Sequence, residues 1–297
     1  VSTDTLTNKT LTSPKINEDV AVTSTASELN ILDGVTSTAT ELNLLDGATV
    51  VIPGKVAGTN FTNSLLVGHA TTGTLNAAGQ NTGVGLESLE DITSGDYNTA
   101  AGYQAGKSNT TATGNTFIGA LSGVNNTSTG TNTGVGYRTL WANAASGNTA
   151  TGYYSGRFNS SGAGNVSMGR EALQGVSGNN NSFNTALGAY SNTAVTTGGY
   201  NVTLGYQSGD NITTGSGNVI IGSVDAAAVD SARTLKIAGN DGSTTTTWIS
   251  GDNSGNLTMP AEIAAVSLDI SGAIDVDGTA NLDVVDIDGA VDMATTL

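Results

Sequence analysis

A five-residue pattern of polar and apolar positions recurs nine times along the middle of the chain. It runs Asn, then usually Thr or Val, a small or apolar residue, usually an apolar residue, and Gly. Successive Asn residues lie 17, 17, 17, 16, 17, 19, 17 and 17 positions apart. This period is too short for a helix-pair repeat, which needs about 33 residues or more, and it fits one coil of a parallel β-solenoid with two short strands and two corners. The copies begin at Asn81, Asn98, Asn115, Asn132, Asn148, Asn165, Asn184, Asn201 and Asn218, and end at Gly85, Gly102, Gly119, Gly136, Gly152, Gly169, Gly188, Gly205 and Gly222.

The alternation of side chains along a strand places the residues one, three and five after each Asn on the same face. The residue three after the Asn, which we call the third repeat position, is apolar in eight of nine copies. We therefore predict that it points into the coil: Val84, Ala101, Ile118, Val135, Thr151, Met168, Leu187, Leu204 and Ile221. The fifth is often Tyr, as at Tyr103, Tyr137, Tyr153 and Tyr206.

The repeated Asn is predicted to lie at a corner, because Asn tolerates left-handed backbone and bonds nearby backbone groups. Stacked coils would join these residues in a ladder of side-chain amides. The polar segments between copies, such as 108–114 and 125–130, absorb the variation in spacing and are assigned to an outer corner. So narrow a coil has little core volume, and we therefore expect a second apolar side to pack against other chains.

The flanks divide the chain into four parts. Residues 1–60 contain two 13-residue units, 23–35 and 36–48, each predicted to form a capped helical turn. Residues 61–225 form the solenoid and 226–262 a β connector. In 263–297 Asp alternates with aliphatic residues, which predicts β-strands. The chain starts at Val1 without Met and stops inside a repeat at Leu297, so we expect a processed chain or a segment of a longer one.

Charge narrows the range of partners. The net charge is −16, with only nine Lys and Arg residues, which disfavours nucleic acid as a partner. The sequence has no apolar run of about 18 residues, so membrane insertion is not expected. It also lacks Cys, which excludes disulfides and thiolate metal sites.

Catalytic and metal chemistry have little support in the sequence. The single histidine, His69, has no evident partner and is interpreted as a turn residue. A Ca²⁺ site among the C-terminal aspartates is weighed against a solvent-facing strand edge, which we favour: Asp275, Asp277, Asp286, Asp288 and Asp292. No catalytic residue, cofactor or metal is predicted. The Tyr column and Trp141 are candidate contacts for surface sugars, with packing between coils or chains as the favoured reading of the Tyr column.

The repeats, followed by Tyr-Gln-Ala/Ser-Gly at 103–106 and 206–209, resemble the head repeats of trimeric autotransporter adhesins, although the period here is longer. The flanking segments 6–16, 27–34, 40–47 and 255–260 are similar to those of tailed-phage fibre proteins, especially of marine phages. This resemblance covers most of the chain. It implies an all-β, elongated homotrimer located on a virion.

These observations predict a non-enzymatic virion fibre or whisker that spans distance and contributes to adhesion, with host-surface glycan and other virion proteins as further partners. The alternatives are a cell-surface trimeric adhesin, an extracellular filament subunit, and a polysaccharide-degrading tailspike. The tailspike would need a pair of carboxylates in a groove, whereas the acidic residues of the repeats are scattered in sequence.

Overall fold

A computed structural model describes residues 54–265 and 270–271, and these form an all-β parallel solenoid of coils about 17 residues long. No helix occurs in this part of the chain, and so none there could span a membrane. Fifteen strands belong to one sheet. They are β1 (Gly54–Gly58), β2 (Phe61–Val67), β3 (Ala78–Gly79), β4 (Thr82–Val84), β5 (Thr99–Ala101), β6 (Thr116–Ile118), β7 (Thr133–Val135), β8 (Thr149–Thr151), β9 (Val166–Met168), β10 (Thr185–Leu187), β11 (Val202–Leu204), β12 (Val219–Ile221), β13 (Leu235–Asn240), β14 (Thr245–Gly251) and β15 (Leu257–Thr258).

The parallel stack runs without interruption from β2 through β4 to β13, which makes ten successive strand pairings. Equivalent repeat positions lie opposite each other, as Thr99 does to Thr116, and this register survives the 16- and 19-residue spacings. With a strand spacing of about 4.8 Å, ten coils span roughly 50 Å. The insertions are accommodated between the strands, because the strand register is unchanged across them.

Each coil has one strand where we predicted two. On the opposite side, the residues six and eight positions after the repeat Asn adopt left-handed backbone in the eight repeats from Asn81 to Asn201, with φ between 48° and 62°. Left-handed residues interrupt β geometry, so this side is a column of turns. It still bonds between coils: Gln104 N donates to Leu86 O at 2.9 Å, and Gly106 N donates to Ser122 O at 2.8 Å.

The inward assignment of the third repeat position was wrong. Its larger members are exposed, with Met168 at 52% and Leu204 at 44%. Side chains alternate as predicted, but the residue that points inward is the one two positions after the repeat Asn. The coil is too narrow for an aliphatic residue in every layer, so most residues at this position are small: Gly83, Ala100, Phe117, Gly134, Ala150, Ser167, Ala186, Thr203 and Ile220.

Phe117 shows how tightly the interior is filled. Its fully buried ring occupies space left by glycines in the turn column and the next strand. A Cβ built on Gly123 would lie 2.3 Å from the ring, and one on Gly134 would lie 3.2 Å from it. A large side chain in one layer thus requires small residues in the layers beside it. The apolar core is a thin column divided into three clusters, which run from Phe61 to Ala150, from Ala172 to Val195 and from Ile212 to Ala226.

The last Gly of each repeat allows the coils to approach at a bend. These glycines have φ between 109° and 137°, a region that side-chain-bearing residues rarely adopt. A Cβ on Gly119 would lie 2.4 Å from Gly136 O, so the adjacent coils leave no room for one. The repeat therefore requires Gly for two reasons, conformation and contact.

Antiparallel strands adjoin both ends of the parallel stack. β1 pairs with β2 at one end, and β14 and β15 continue from β13 at the other. β13 pairs in parallel with β12, so the parallel sheet extends past residue 225. The predicted N-terminal helical turns and the aspartates of 275–292 lie outside the described residues.

Candidate functional site

The nine repeat asparagines form the axial ladder of the solenoid. All nine are at least 95% buried, and each backbone N from Asn98 onward donates to the Oδ1 of the preceding repeat Asn. At Asn98, the side-chain Nδ2 also donates to Asn81 Oδ1 at 3.0 Å and to Ala112 O at 2.8 Å. Six such amide-to-amide bonds occur between repeat asparagines. The amide ladder predicted from the sequence is thus present, but in the interior of the coil.

Hydroxyl groups satisfy the two ends of this ladder. Ser64 Oγ accepts a bond from Asn81 N at 2.8 Å. At the other end, Thr234 donates to Asn218 Oδ1 from its backbone N at 3.0 Å and from its Oγ1 at 2.7 Å. Because a buried amide without partners is costly, these two residues let the row end without an unpaired group.

A second column of buried side chains was missed in the sequence. It lies eleven positions after the repeat Asn in seven coils, and fourteen after it in the 19-residue coil, at Asn179. Members such as Asn109 and Asn126 fall within segments that we had assigned to a polar outer corner. Asn126 Oδ1 and Asn143 Oδ1 face the ladder and take the place of the missing amide bonds of Asn132, at 3.4 Å, and Asn148, at 3.0 Å. The 17-residue spacing of this column was the available signal: Ile92, Asn109, Asn126, Asn143, Asn159, Asn179, Val195 and Ile212.

Arginines and aromatic side chains gather on the side of four successive coils, in a surface that we call the arginine patch. The guanidinium carbon of Arg157 lies 4.2 Å from the ring centroid of Tyr154 and 4.4 Å from that of Phe158. Arg170 lies 5.3 Å from the ring centroid of Tyr190. The patch comprises Arg138, Arg157 and Arg170 with Tyr137, Tyr153, Tyr154, Tyr190, Trp141 and Phe158.

The patch contains three of the five predicted surface contacts. Tyr137 and Tyr153 stack with centroids 5.5 Å apart, and Trp141 lies edge-on to Phe158 at 6.2 Å. Tyr103 and Tyr206 are exposed on other coils. The sequence analysis missed the arginines because they follow no single repeat position.

Positive charge perturbs the tyrosines of the patch. The pKa of the Tyr154 phenol is lowered by its hydrogen bond with Tyr153 and by the positive charges of Arg157 and Arg138. The pKa of Tyr153 is correspondingly raised, chiefly through the same bond with Tyr154. The patch itself has three arginines, of which Arg170 pairs with the acidic Glu171, so its net charge is positive.

His69 is buried, as few turn residues are. One ring nitrogen, Nε2, lies 2.7 Å from Ser88 O. Within the described ranges, no group of three or more His, Asp or Glu side chains could hold a metal ion. The buried ring of His69 connects its coil to the next one through the backbone of Ser88.

Asp210 and Asp225 meet at a shallow pocket of about 300 Å³ near the last coils. Burial of Asp210, together with a hydrogen bond and charge repulsion from Asp225, raises the pKa of Asp210 to about 6. Carboxyl groups in hydrogen-bond contact are closer than the spacing of about 5 Å or more at which glycosidases hold their two carboxylates. The pair therefore does not resemble a glycosidase site.

This pair predicts a pH-dependent stability. Because the folded state raises the pKa of Asp210, the stability it contributes is complete below pH 3.8 and is lost as the pH rises through about 6. Asp210→Asn mimics the protonated form and should stabilise the fold by about 1 kcal/mol at pH 7.5, after allowance for solvent screening, with little effect at pH 4. Urea unfolding at both pH values measures the difference.

The exposed Asp230 supplies the control. Asp230→Asn should leave stability at pH 7.5 within about 0.5 kcal/mol of the wild type. Equal stabilisation by both substitutions would indicate relief of general negative charge and contradict a specific carboxyl pair.

Comparisons with protein-family models, with curated proteins and with solved structures found no match to this chain.

Proposed function

We propose that this chain is a non-catalytic structural protein of a phage virion, a tail fibre or whisker that assembles as a homotrimeric rod and contributes to adhesion. The observation that carries the proposal is an apolar stripe along the outside of the sheet, formed by the third repeat position. Val84, Ile118, Met168 and Leu204 on it are all more than 40% exposed. A stripe repeated in coil after coil suits lateral packing of like chains along their full length.

The composition of the outer face supports this packing. Thr or Val flanks the stripe at the first repeat position, and neither contributes charge. Burying a continuous apolar face is the dominant favourable contribution in most association between proteins. Three identical chains around an axis would remove all three stripes from water at once, which also supplies the core volume that a single narrow coil lacks.

The mechanical part of the proposal rests on the internal hydrogen bonds. Each coil bonds to the next through its strand, through the turn column and through the asparagine ladder. Because these bonds cross every layer, bending the rod or opening it to a protease would break several bonds together. Such a stack is suited to spanning distance.

A filament that grows end to end is less well supported. Within the described residues, antiparallel strands adjoin both ends of the parallel stack. The outermost strand at one end, β15, has only two residues, and β1 at the other end carries Lys55. Short or charged edge strands discourage addition of further chains.

Charged substitutions on the stripe test the assembly. We expect the wild type to show three times the 29.5 kDa chain mass in light scattering, and the variant Ile118→Asp/Leu204→Asp to show the mass of one chain. Both side chains are already exposed within a single chain, so the β-type circular dichroism should persist. The loss follows from the cost of burying an unpaired carboxylate.

Ser161→Asp, on an exposed corner, is the matched control and should remain trimeric. A wild-type protein with the mass of a single chain would contradict the proposed trimer. So would an Ile118→Asp/Leu204→Asp variant that keeps the trimeric mass. Immunogold labelling then separates the locations: label on fibres of purified phage particles supports the proposal, and label confined to cell surfaces or free filaments contradicts it.

A further inference from the structure

The arginine patch holds cations that the chain itself leaves unpaired. Among the described residues, neither Arg138 nor Arg157 has a carboxylate within 4.0 Å, whereas Arg170 pairs with Glu171 at 3.1 Å. The Nε atoms of Arg138 and Arg157 are buried without a hydrogen-bond partner. A guanidinium in this state can still bind a carboxylate through its outer nitrogens, two at a time.

The charge around the patch differs from that of the whole protein. Residues 97–209 contain four basic residues, Lys107 and the three patch arginines, and one acidic residue, Glu171, a net charge of +3 in a chain of net charge −16. Lys107 is bound to Glu87 and Glu90, and Arg170 to Glu171, which leaves Arg138 and Arg157 as the free positive charge of this stretch among the described residues. An anionic ligand would therefore be repelled by most of the molecule and attracted to this region.

The aromatic rings make the patch suitable for sugars. Tyr137 and Tyr153 remain 38% and 43% exposed although they stack on each other with an interplanar angle of 20°. Aromatic faces pack against the apolar side of a sugar ring, while phenol groups bond its hydroxyls. Each of three successive coils supplies one arginine, and coils rise by about 4.8 Å, close to the length of one sugar unit.

We propose that the arginine patch binds a carboxylated polysaccharide, one rich in uronic acids, along the side of the rod. The arginines would bind the carboxylates and the tyrosines would stack on the rings between them. This assignment names the ligand for the adhesive role, and to that extent it rests on the proposed function. The patch uses a different part of the coil from the apolar stripe, so assembly and binding can be measured separately.

Calorimetric titration of the full chain with oligogalacturonate tests the assignment. We expect saturable binding that weakens with added salt, and no binding of the fully methyl-esterified oligomer, which has the same rings without charge. Arg157→Gln should weaken binding at least about tenfold, since a charged hydrogen-bonded pair is lost. Arg157→Lys keeps the charge but not the planar guanidinium, so its affinity should lie between those of the wild type and Arg157→Gln.

Arg233→Gln removes one exposed positive charge outside the patch and should change the affinity less than about twofold. Equal weakening by both Gln variants, binding of dextran sulfate without oligogalacturonate, or no binding at all would each overturn the assignment. So would a change of molar mass in Arg157→Gln, which would make the patch a contact between chains. A monomer that binds would refute only the trimer, and a trimer that does not bind would refute only this ligand.

Discussion

Replacing Gly119 with Ala is expected to lower the free energy of unfolding by about 4 kcal/mol. The residue has φ of 121°, where an L side chain is strained, and the new Cβ would lie 2.4 Å from Gly136 O. The contacting atom is backbone, so no rotamer change can relieve the clash and the two coils must separate. Thermal unfolding followed by circular dichroism measures the loss, expected to be roughly 10 °C in the midpoint.

Gly178 provides a control with the same kind of backbone and no close neighbour. Its φ is 85°, but a Cβ there would meet nothing within 4 Å. Gly178→Ala should therefore introduce only the strain of left-handed backbone, which lowers the free energy of unfolding by about 1 kcal/mol. If the two variants were equally stable, the glycines of adjacent coils could not lie against each other.

Replacing Asn201 with Ala is expected to cost a similar amount, about 3–5 kcal/mol. Asn201 Nδ2 donates to Asn184 Oδ1 at 3.0 Å and to Gly215 O at 2.9 Å, and its Oδ1 accepts two bonds from Asn218. Truncation breaks all four bonds and leaves partners buried without a replacement. Chemical denaturation gives the stability, and hydrogen exchange of the Asn218 amide should show the loss locally.

Two further substitutions define this effect. The exposed Asn125 should tolerate Ala with a change below about 0.5 kcal/mol. Asn201→Asp keeps the shape but replaces the donor with a buried carboxylate, so it should destabilise strongly at pH 7 and recover in part below pH 4, when the acid can donate one bond. An Asn201→Asp variant as stable as the wild type at pH 7 would contradict a buried ladder.

Periodicity was sufficient to predict the solenoid and its ladder. Nine asparagines at near-constant spacing can lie over one another only if the chain coils once per repeat, and the amide bonds then follow from stacking. The glycine that ends each repeat meets two structural requirements, positive φ at a bend and the close approach of the next coil.

Hydrophobicity alone assigned the wrong face of each strand to the interior of the coil. Leu204 and Met168 look like core residues in the sequence, but a narrow coil of this kind holds mostly small and amide side chains inside. The buried Thr203 and Ser167 are the inward neighbours that a polarity scale would place in water. Sequence pattern reports alternation, while the width of the coil decides which half of it fits inside.

A different obstacle prevented prediction of the turn column and the arginine patch. Left-handed backbone at residues such as Leu121 and Tyr190 contradicts local propensity and is imposed by bonds to neighbouring coils. Arg138, Arg157 and Arg170 occupy three different repeat positions, so only the three-dimensional arrangement brings them together.

The asparagine ladder also gives the rod a net dipole along its axis. Strand bonds point both ways along the axis, since Thr99 N donates toward the next coil and Gly102 N toward the previous one, so their dipoles oppose each other. The side-chain carbonyl groups of the repeat asparagines instead all accept bonds from the coil that follows, so they point the same way. Their dipoles add, as peptide dipoles do in a helix, so parallel alignment of several rods sets like poles side by side, and burial of apolar surface must outweigh that repulsion.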